Sequence, residues 1–211
     1  MSQKETNQQI LAELRRLYPD AGPELHFTNP YETLIATMLS AQCTDKRVNL
    51  VTEKLFKLYT CPADLARLTP EELEPHIREC GLYHTKAKNI VAACKIICEQ
   101  YGGEVPGDWN ALVKLPGVGR KTANVVWANA FGGDAIAVDT HVFRVSNRLG
   151  LADAGDVDKT EQQLQQAIPR KDWSTAHHWL IFHGRRVCSA RAPKCESCTL
   201  RDLCKYHNQQ K

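Results

Sequence analysis

Apolar residues recur at three- and four-residue spacing along almost the whole chain, and no stretch of useful length alternates apolar with polar residues. This repeat constrains the fold more than any other feature. A helix brings residues i, i+3, i+4 and i+7 to one face, whereas a half-buried strand needs a period of two. The clearest stripe is Ala87, Ile90, Val91, Cys94, Ile97, Cys98 and Tyr101, closed by Gly102-Gly103. Ile10, Leu11, Leu14 and Leu17 form another, ended by Pro19, and Val48, Val51, Leu55 and Leu58 a third within Thr44 to Tyr59. Asn29-Pro30 with Glu32, and Thr69-Pro70 with Glu72, carry the cap-x-x-acid pattern that starts helices. Pro75 predicts that the second of these is short or kinked. Further helices are expected over about Asp108–Leu115, Arg120–Ala130, from Asp139 as N-cap through Leu149, and over about Asp158–Ile168 and Asp172–Val187. Ala135 to Val138 reads as a brief extended piece. The expected fold class is all-α.

Composition removes several alternatives. With 211 residues, 43% of them hydrophobic, the chain can bury a real core. No run of 18 apolar residues exists and the start, MSQKETNQQI, lacks the apolar segment of a signal peptide, so a cytoplasmic protein with no membrane partner is expected. Net charge is only +3, but Arg185 to Lys205 holds six Arg or Lys against two Asp or Glu. That local excess reads either as a phosphate-facing patch or as a solvated segment.

Two motifs carry chemistry. Leu115-Pro116-Gly117-Val118-Gly119 lies between two expected helices. Two glycines one residue apart allow a sharp turn through positive φ and leave room for another backbone. The turn opens onto a helix N-terminus, whose N–H groups and dipole suit a phosphate, with Arg120 and Lys121 adding positive charge. A plain helix-turn-helix connection is the simpler alternative. The second motif is Cys188-x6-Cys195-x2-Cys198-x5-Cys204, four of the nine cysteines within 17 residues. Without an export signal these call for a metal centre rather than disulfides. Zinc ribbons usually show two C-x2-C pairs and only one is present, while a [4Fe–4S] cluster tolerates uneven loops. Cys94 and Cys98 read as core residues, and Cys43, Cys61 and Cys80 are taken the same way.

Leu115-Pro-Gly-Val-Gly-Arg-Lys-Thr-Ala123 followed by Val138-Asp-Thr-His141 resembles the helix-hairpin-helix DNA glycosylases, and the cysteine spacing narrows the resemblance to the endonuclease III branch. Leu39-Ser-Ala-Gln-Cys-Thr-Asp45, Gly81-Leu-Tyr83 and Lys86-Ala-Lys-Asn-Ile90 extend it over nearly the whole chain. The resemblance implies a two-domain fold with a DNA-binding cleft: a six-helix domain over 24–134 with its hairpin at about 108–131, and a helical domain of 1–23 and 135–211 bearing an iron–sulfur loop. It implies removal of oxidised pyrimidines from double-stranded DNA and cleavage of the resulting abasic site.

The same resemblance implies Lys121 as the nucleophile at the sugar C1′, because a primary amine can form an imine. Near pH 7.4 only about one ordinary lysine in a thousand is neutral, and a helix N-terminus disfavours the cation. Asp139, eighteen residues on across one helix and a turn, can meet Lys121 in space and would stabilise positive charge on the sugar. It would also favour the unreactive ammonium. Gln42 is implied to fill the gap left by a flipped nucleotide and Leu82 to act as a wedge. Gly117, Val118, Gly119, Arg120, Arg191 and Lys194 are implied DNA contacts, and Cys188, Cys195, Cys198 and Cys204 the ligands of a [4Fe–4S] cluster. His141 reads as a structural histidine. A monomer is expected. The alternatives are a monofunctional adenine mismatch glycosylase, which lacks a lysine at this position and carries a further C-terminal domain, and a non-catalytic metal-containing DNA-binding protein. Lys121 together with Asp139, and a chain that ends seven residues after Cys204, favour the bifunctional enzyme.

Overall fold

The structure is a computed structural model that describes residues 2–209. Among these residues the chain forms α1 (Gln3–Leu17), α2 (Pro30–Leu39), α3 (Asp45–Leu58), α4 (Pro62–Ala66), α5 (Pro70–Ile77), α6 (Tyr83–Gln100), α7 (Trp109–Leu112), α8 (Arg120–Phe131), α9 (Thr140–Leu149), α10 (Val157–Ala167), α11 (Trp173–Arg186) and α12 (Lys205–Asn208), with short 3-10 turns between some of them. None of the described residues forms a strand. The chain divides into two compact units, Pro23–Gly133 and a second built from the residues up to Gly22 together with those from Asp134 onward.

In the Pro23–Gly133 unit, α2 is the buried centre. Eight of its ten residues, Tyr31 and Thr33 to Leu39, are buried, so it is apolar on all sides rather than along one stripe. The hydroxyls of Thr33 and Thr37 are satisfied by donating to Asn29 O at 2.8 Å and Thr33 O at 2.6 Å. α2 packs on α8 and α3, and α6 packs on α4 and α5. The long stripe of α6 goes into this core through Ala87, Ile90, Val91, Cys94 and Ile97. Gly102 and Gly103, at φ 64° and 86°, end the helix, and the Gly103 amide donates to Ile97 O.

The second unit gathers Ile10, Leu11 and Leu14 of α1 with Val142, Val145, Leu149, Leu164, Ala176 and Leu180 around α9 and α11. The described residues after α11 are different in kind. After α11 the backbone runs through two 3-10 turns and a single helical turn, and Leu200 and Cys204 are the buried residues of that stretch.

Several local expectations change. Asn29 caps α2 by accepting from the Glu32 amide at 2.9 Å, but the Glu32 carboxylate reaches back to the amide and hydroxyl of Thr28, at 2.7 and 2.8 Å, rather than to Asn29. Leu58 is 59% exposed, because α3 outruns the core at its last turn. α7 is only Trp109–Leu112. α5 is short, as Pro75 predicts, and stops at Ile77, two residues beyond that proline. Cys80 and Cys94 are core residues; Cys43, Cys61 and Cys98 are only partly buried. Burial pushes the Cys94 thiol up to about 12.

Candidate active site and metal centre

The hairpin expected between the two helices is formed by α7, the segment 113–119 and α8. Trp109 Nε1 on α7 donates to Asn124 Oδ1 on α8 at 2.7 Å, a cross-link between the two arms. Leu115 and Val118 point into the core, and the Val118 amide donates to Leu115 O at 3.0 Å. Val118 is 4% exposed and its amide is engaged, so its side chain anchors the turn. The two glycines also differ. Gly117 has φ 73°, and a Cβ there would come 2.7 Å from Asn89 Cβ on α6. Gly119 has φ −83° and ψ 176°, ordinary extended backbone, and a Cβ there would meet nothing within 4 Å. Gly117 is needed by the chain itself, whereas Gly119 keeps a helix N-terminus bare.

Gly119 is the N-cap of α8 and contributes no side-chain cap. Arg120 and Lys121 are the first two residues of the helix and both are exposed. Helix geometry leaves the first N–H groups without intrahelical acceptors, at the positive end of the dipole. The Arg120 guanidinium lies 5.3 Å from the centre of the Trp109 ring, a cation–π contact that orients it.

Two further loops of this unit share an unusual backbone. Gln42 (φ 54°) and Leu82 (φ 48°) are the two non-glycine residues with positive φ among the described residues. Both are exposed, Leu82 by 57%. Left-handed backbone at such residues costs ~1–3 kcal/mol each and concentrates at functional sites. Neither residue type signals this strain in the sequence.

In the second unit, Asp139 is the N-cap of α9, as its position suggested. Its Oδ1 accepts from the amides of His141 and Val142, both at 2.8 Å, and the residue is half-buried. His141 Nδ1 lies 3.2 Å from Arg144 Nη2, which ties the ring to its own helix. Lys121 and Asp139 thus belong to different units.

α9 also holds the cysteine loop. Arg144 donates to Cys188 O at 3.1 Å and Gly184 O at 3.0 Å, while Arg148 donates to Ser189 O at 2.7 Å and Ala190 O at 2.9 Å. The Tyr206 ring covers the Arg148 guanidinium at 4.6 Å, and the Cys204 thiol meets Arg148 O at 3.2 Å. Cys188, Cys195, Cys198 and Cys204 line one cavity, together with Leu149, His183, Val187 and Tyr206. All four are free thiols. Burial, and after it the neighbouring thiols, push Cys198 and Cys204 upward, against backbone hydrogen bonds that lower them. Such thiols ionise readily only when a cation replaces the proton. His183 is buried beside them, with Nδ1 3.0 Å from the Tyr18 hydroxyl and Nε2 3.7 Å from Cys198 Sγ. Arg191 and Lys194 stand exposed on the loop between the first two cysteines.

Sequence reasoning missed the roles of Asn89, Trp109, Arg144, Arg148, His183 and Lys86. Lys86 had a signal. It falls in register with Ile90, Cys94 and Ile97, so it lies on the face of α6 that is buried.

Residues 35–170 match the sequence profile of the HhH-GPD superfamily base excision DNA repair proteins. The chain is 49% identical to endonuclease III of Escherichia coli strain K12 over 198 residues, 94% of each protein. It is 53% identical to endonuclease III of Bacillus subtilis over 190 residues, 90% of this chain and 87% of that one. The chain belongs to the endonuclease III family. Its fold agrees: a trapped endonuclease III–DNA covalent intermediate superposes with a TM-score of 0.94 at 49% identity, over 100% of this chain and 99% of that one.

Proposed function

We propose that the chain excises oxidised pyrimidines from double-stranded DNA and nicks the strand at the abasic site, with Lys121 as the nucleophile and Asp139 as its electrostatic partner. As a member of the endonuclease III family it is a base-excision glycosylase and abasic-site lyase. The observation that carries the residue assignment is Lys121 itself, an exposed primary amine at the uncapped, positive end of α8, directly after the bare Gly119. A helix end lacking a side-chain cap is free to hold a DNA phosphate, and the Lys121 amine, in the first turn of that helix, would attack the adjoining sugar.

The damaged nucleotide leaves the stack first, since its C1′ is shielded inside the duplex. Gln42 fills the space and Leu82 wedges the opposite side; their exposure on left-handed turns suits insertion. The neutral Nζ of Lys121 then forms a bond to C1′ as the C1′–N bond to the base breaks, and the base leaves with the electron pair and takes up a proton. Ring opening gives a Schiff base. Loss of a proton from C2′ expels the 3′ phosphate, and water releases the enzyme. Asp139 holds negative charge for the cationic sugar, and its two amide hydrogen bonds keep it in place.

The four thiols fit an iron–sulfur cluster. Cys188, Cys195, Cys198 and Cys204 line one cavity, and four thiolates on unevenly spaced loops are the donor set that such a cluster takes. Cys188, Cys195, Cys198 and Cys204 would hold a [4Fe–4S] cluster, which supplies a four-point covalent staple for a segment with little core of its own. His183 stands between the Tyr18 hydroxyl, 3.0 Å from Nδ1, and Cys198 Sγ, 3.7 Å from Nε2, and would orient that ligand from behind. The staple presents Arg191 and Lys194 to the DNA backbone.

Borohydride reduction in the presence of duplex DNA containing thymine glycol or an abasic site tests the mechanism. Wild type is expected to give a covalent adduct and Lys121→Ala none. An equal yield from the variant overturns the assignment of Lys121.

A further inference from the structure

Lys86 is an unusual lysine. It sits in the first turn of α6, only 6% exposed, with its stem in the core. Its Nζ donates to Leu39 O and to Cys80 O, each at 2.8 Å. An aliphatic side chain would fill this place without the cost of burying a charge, and burial does push the Lys86 ammonium downward, against the Cys80 and Cys43 thiols. The ammonium is therefore explained by what it binds.

Both acceptors are stems of the strained loops. Leu39 is the last residue of α2, so its carbonyl has no acceptor role left within that helix. Three residues beyond it stands Gln42 at φ 54°. Cys80 closes the 3-10 turn after α5, and two residues beyond it stands Leu82 at φ 48°, with Gly81 at φ 66° between. The two loops are far apart in sequence, and one buried cation joins their bases. Left-handed backbone at non-glycine residues persists only where the surroundings over-determine it, and two short charge-assisted hydrogen bonds supply that constraint here.

We propose that Lys86 is a positioning residue that locks the Gln42 and Leu82 loops together in the conformation that enters a DNA duplex. It touches neither DNA nor the reacting atoms. The inference rests on the reading of Gln42 and Leu82 as the two inserting side chains.

The test uses the full chain and one abasic-site oligonucleotide, presented as a duplex and as a single strand. A single strand needs neither gap filling nor a wedge. Lys86→Met keeps the stem and removes the donors. It is expected to slow nicking of the duplex about tenfold or more, as for other misplaced reactive groups, and to change nicking of the single strand less than about twofold. A 2-aminopurine opposite the abasic site should lose the fluorescence change that accompanies loop insertion. Equal loss on both substrates, no loss on either, or a variant that does not fold overturns the proposal, since Lys86 would then support the whole unit or nothing. Gln42→Ala and Leu82→Ala separate the two layers. If they show no duplex-selective loss, the reading of the loops falls and the proposal with it. If they do and Lys86→Met does not, the proposal alone falls.

Discussion

The two units solve the same problem by different means. The Pro23–Gly133 unit is one continuous stretch of chain whose helices bury apolar faces around α2 and α6. Its functional loops are fixed by ordinary packing plus a few directed bonds, such as Trp109 to Asn124 and Lys86 to two carbonyls. The other unit joins two distant stretches, and its described residues after α11 bury little. There arginines on α9 grip backbone carbonyls, and four thiols face a common cavity. Hydrophobic burial needs length to accumulate. A short segment that must hold a basic loop in shape needs a few strong bonds instead.

Removing the strong bonds should separate the units most. Cys198→Ser is expected to abolish the visible absorption of the proposed cluster and to make the segment after α11 the first site of limited proteolysis, while the Pro23–Gly133 unit stays protected; loss of a structural metal site removes folding energy outright. Uniform proteolysis of both units would contradict the division.

The next effect is one of pH and belongs to the second unit alone. Burial holds the His178 ring at about 4, well below its ordinary 6.5. Above pH 6.5 the ring is neutral whether folded or unfolded and contributes no pH dependence. Between 6.5 and 4 the unfolded chain takes up a proton that the folded chain refuses, so stability falls by about 3 kcal/mol, and below 4 the loss levels off. Denaturant unfolding of wild type and His178→Phe across this range should show a shallower slope in the variant, the remainder coming from His183, which burial also holds at about 4.

Two changes in the hairpin are smaller and sharpen the contrast between its glycines. Gly117→Ala should cost about 2 kcal/mol, because the residue needs both positive φ and the space that Asn89 leaves. Gly119→Ser should change stability by no more than about 0.5 kcal/mol, since serine is a good N-cap. Yet a side chain that occupies the bare helix end should weaken duplex binding, read as a higher Kd at fixed salt. If Gly119→Ser binds as wild type does, that helix end does not hold a phosphate.

Much of this was open to a reader of the sequence. Periodicity and caps located all the long helices, since both depend on residues within a few positions of one another. Asp139 as N-cap, the hairpin turn and the four-cysteine spacing were legible for the same reason. The family resemblance then attached roles to Lys121, Gln42 and Leu82 that isolated residues would not have suggested. What could not be read there is mostly long-range. Only the packing of the hairpin on the core shows that the Val118 side chain points inward. Gly117 and Gly119 look alike in sequence, and only their folded backbone conformations and the approach of Asn89 from α6 distinguish them.

By itself, then, the sequence determined the all-α class, the order of the elements, the charged helix end with its lysine, and a set of thiols that calls for a metal. Those follow from local periodicity, capping and ligand chemistry. The tertiary structure alone decided which carbonyls Lys86 would clamp, which arginines would grip the cysteine loop, and that Gln42 and Leu82 would share a left-handed backbone. Each of these joins residues far apart along the chain, and only packing brings such residues within reach of a hydrogen bond.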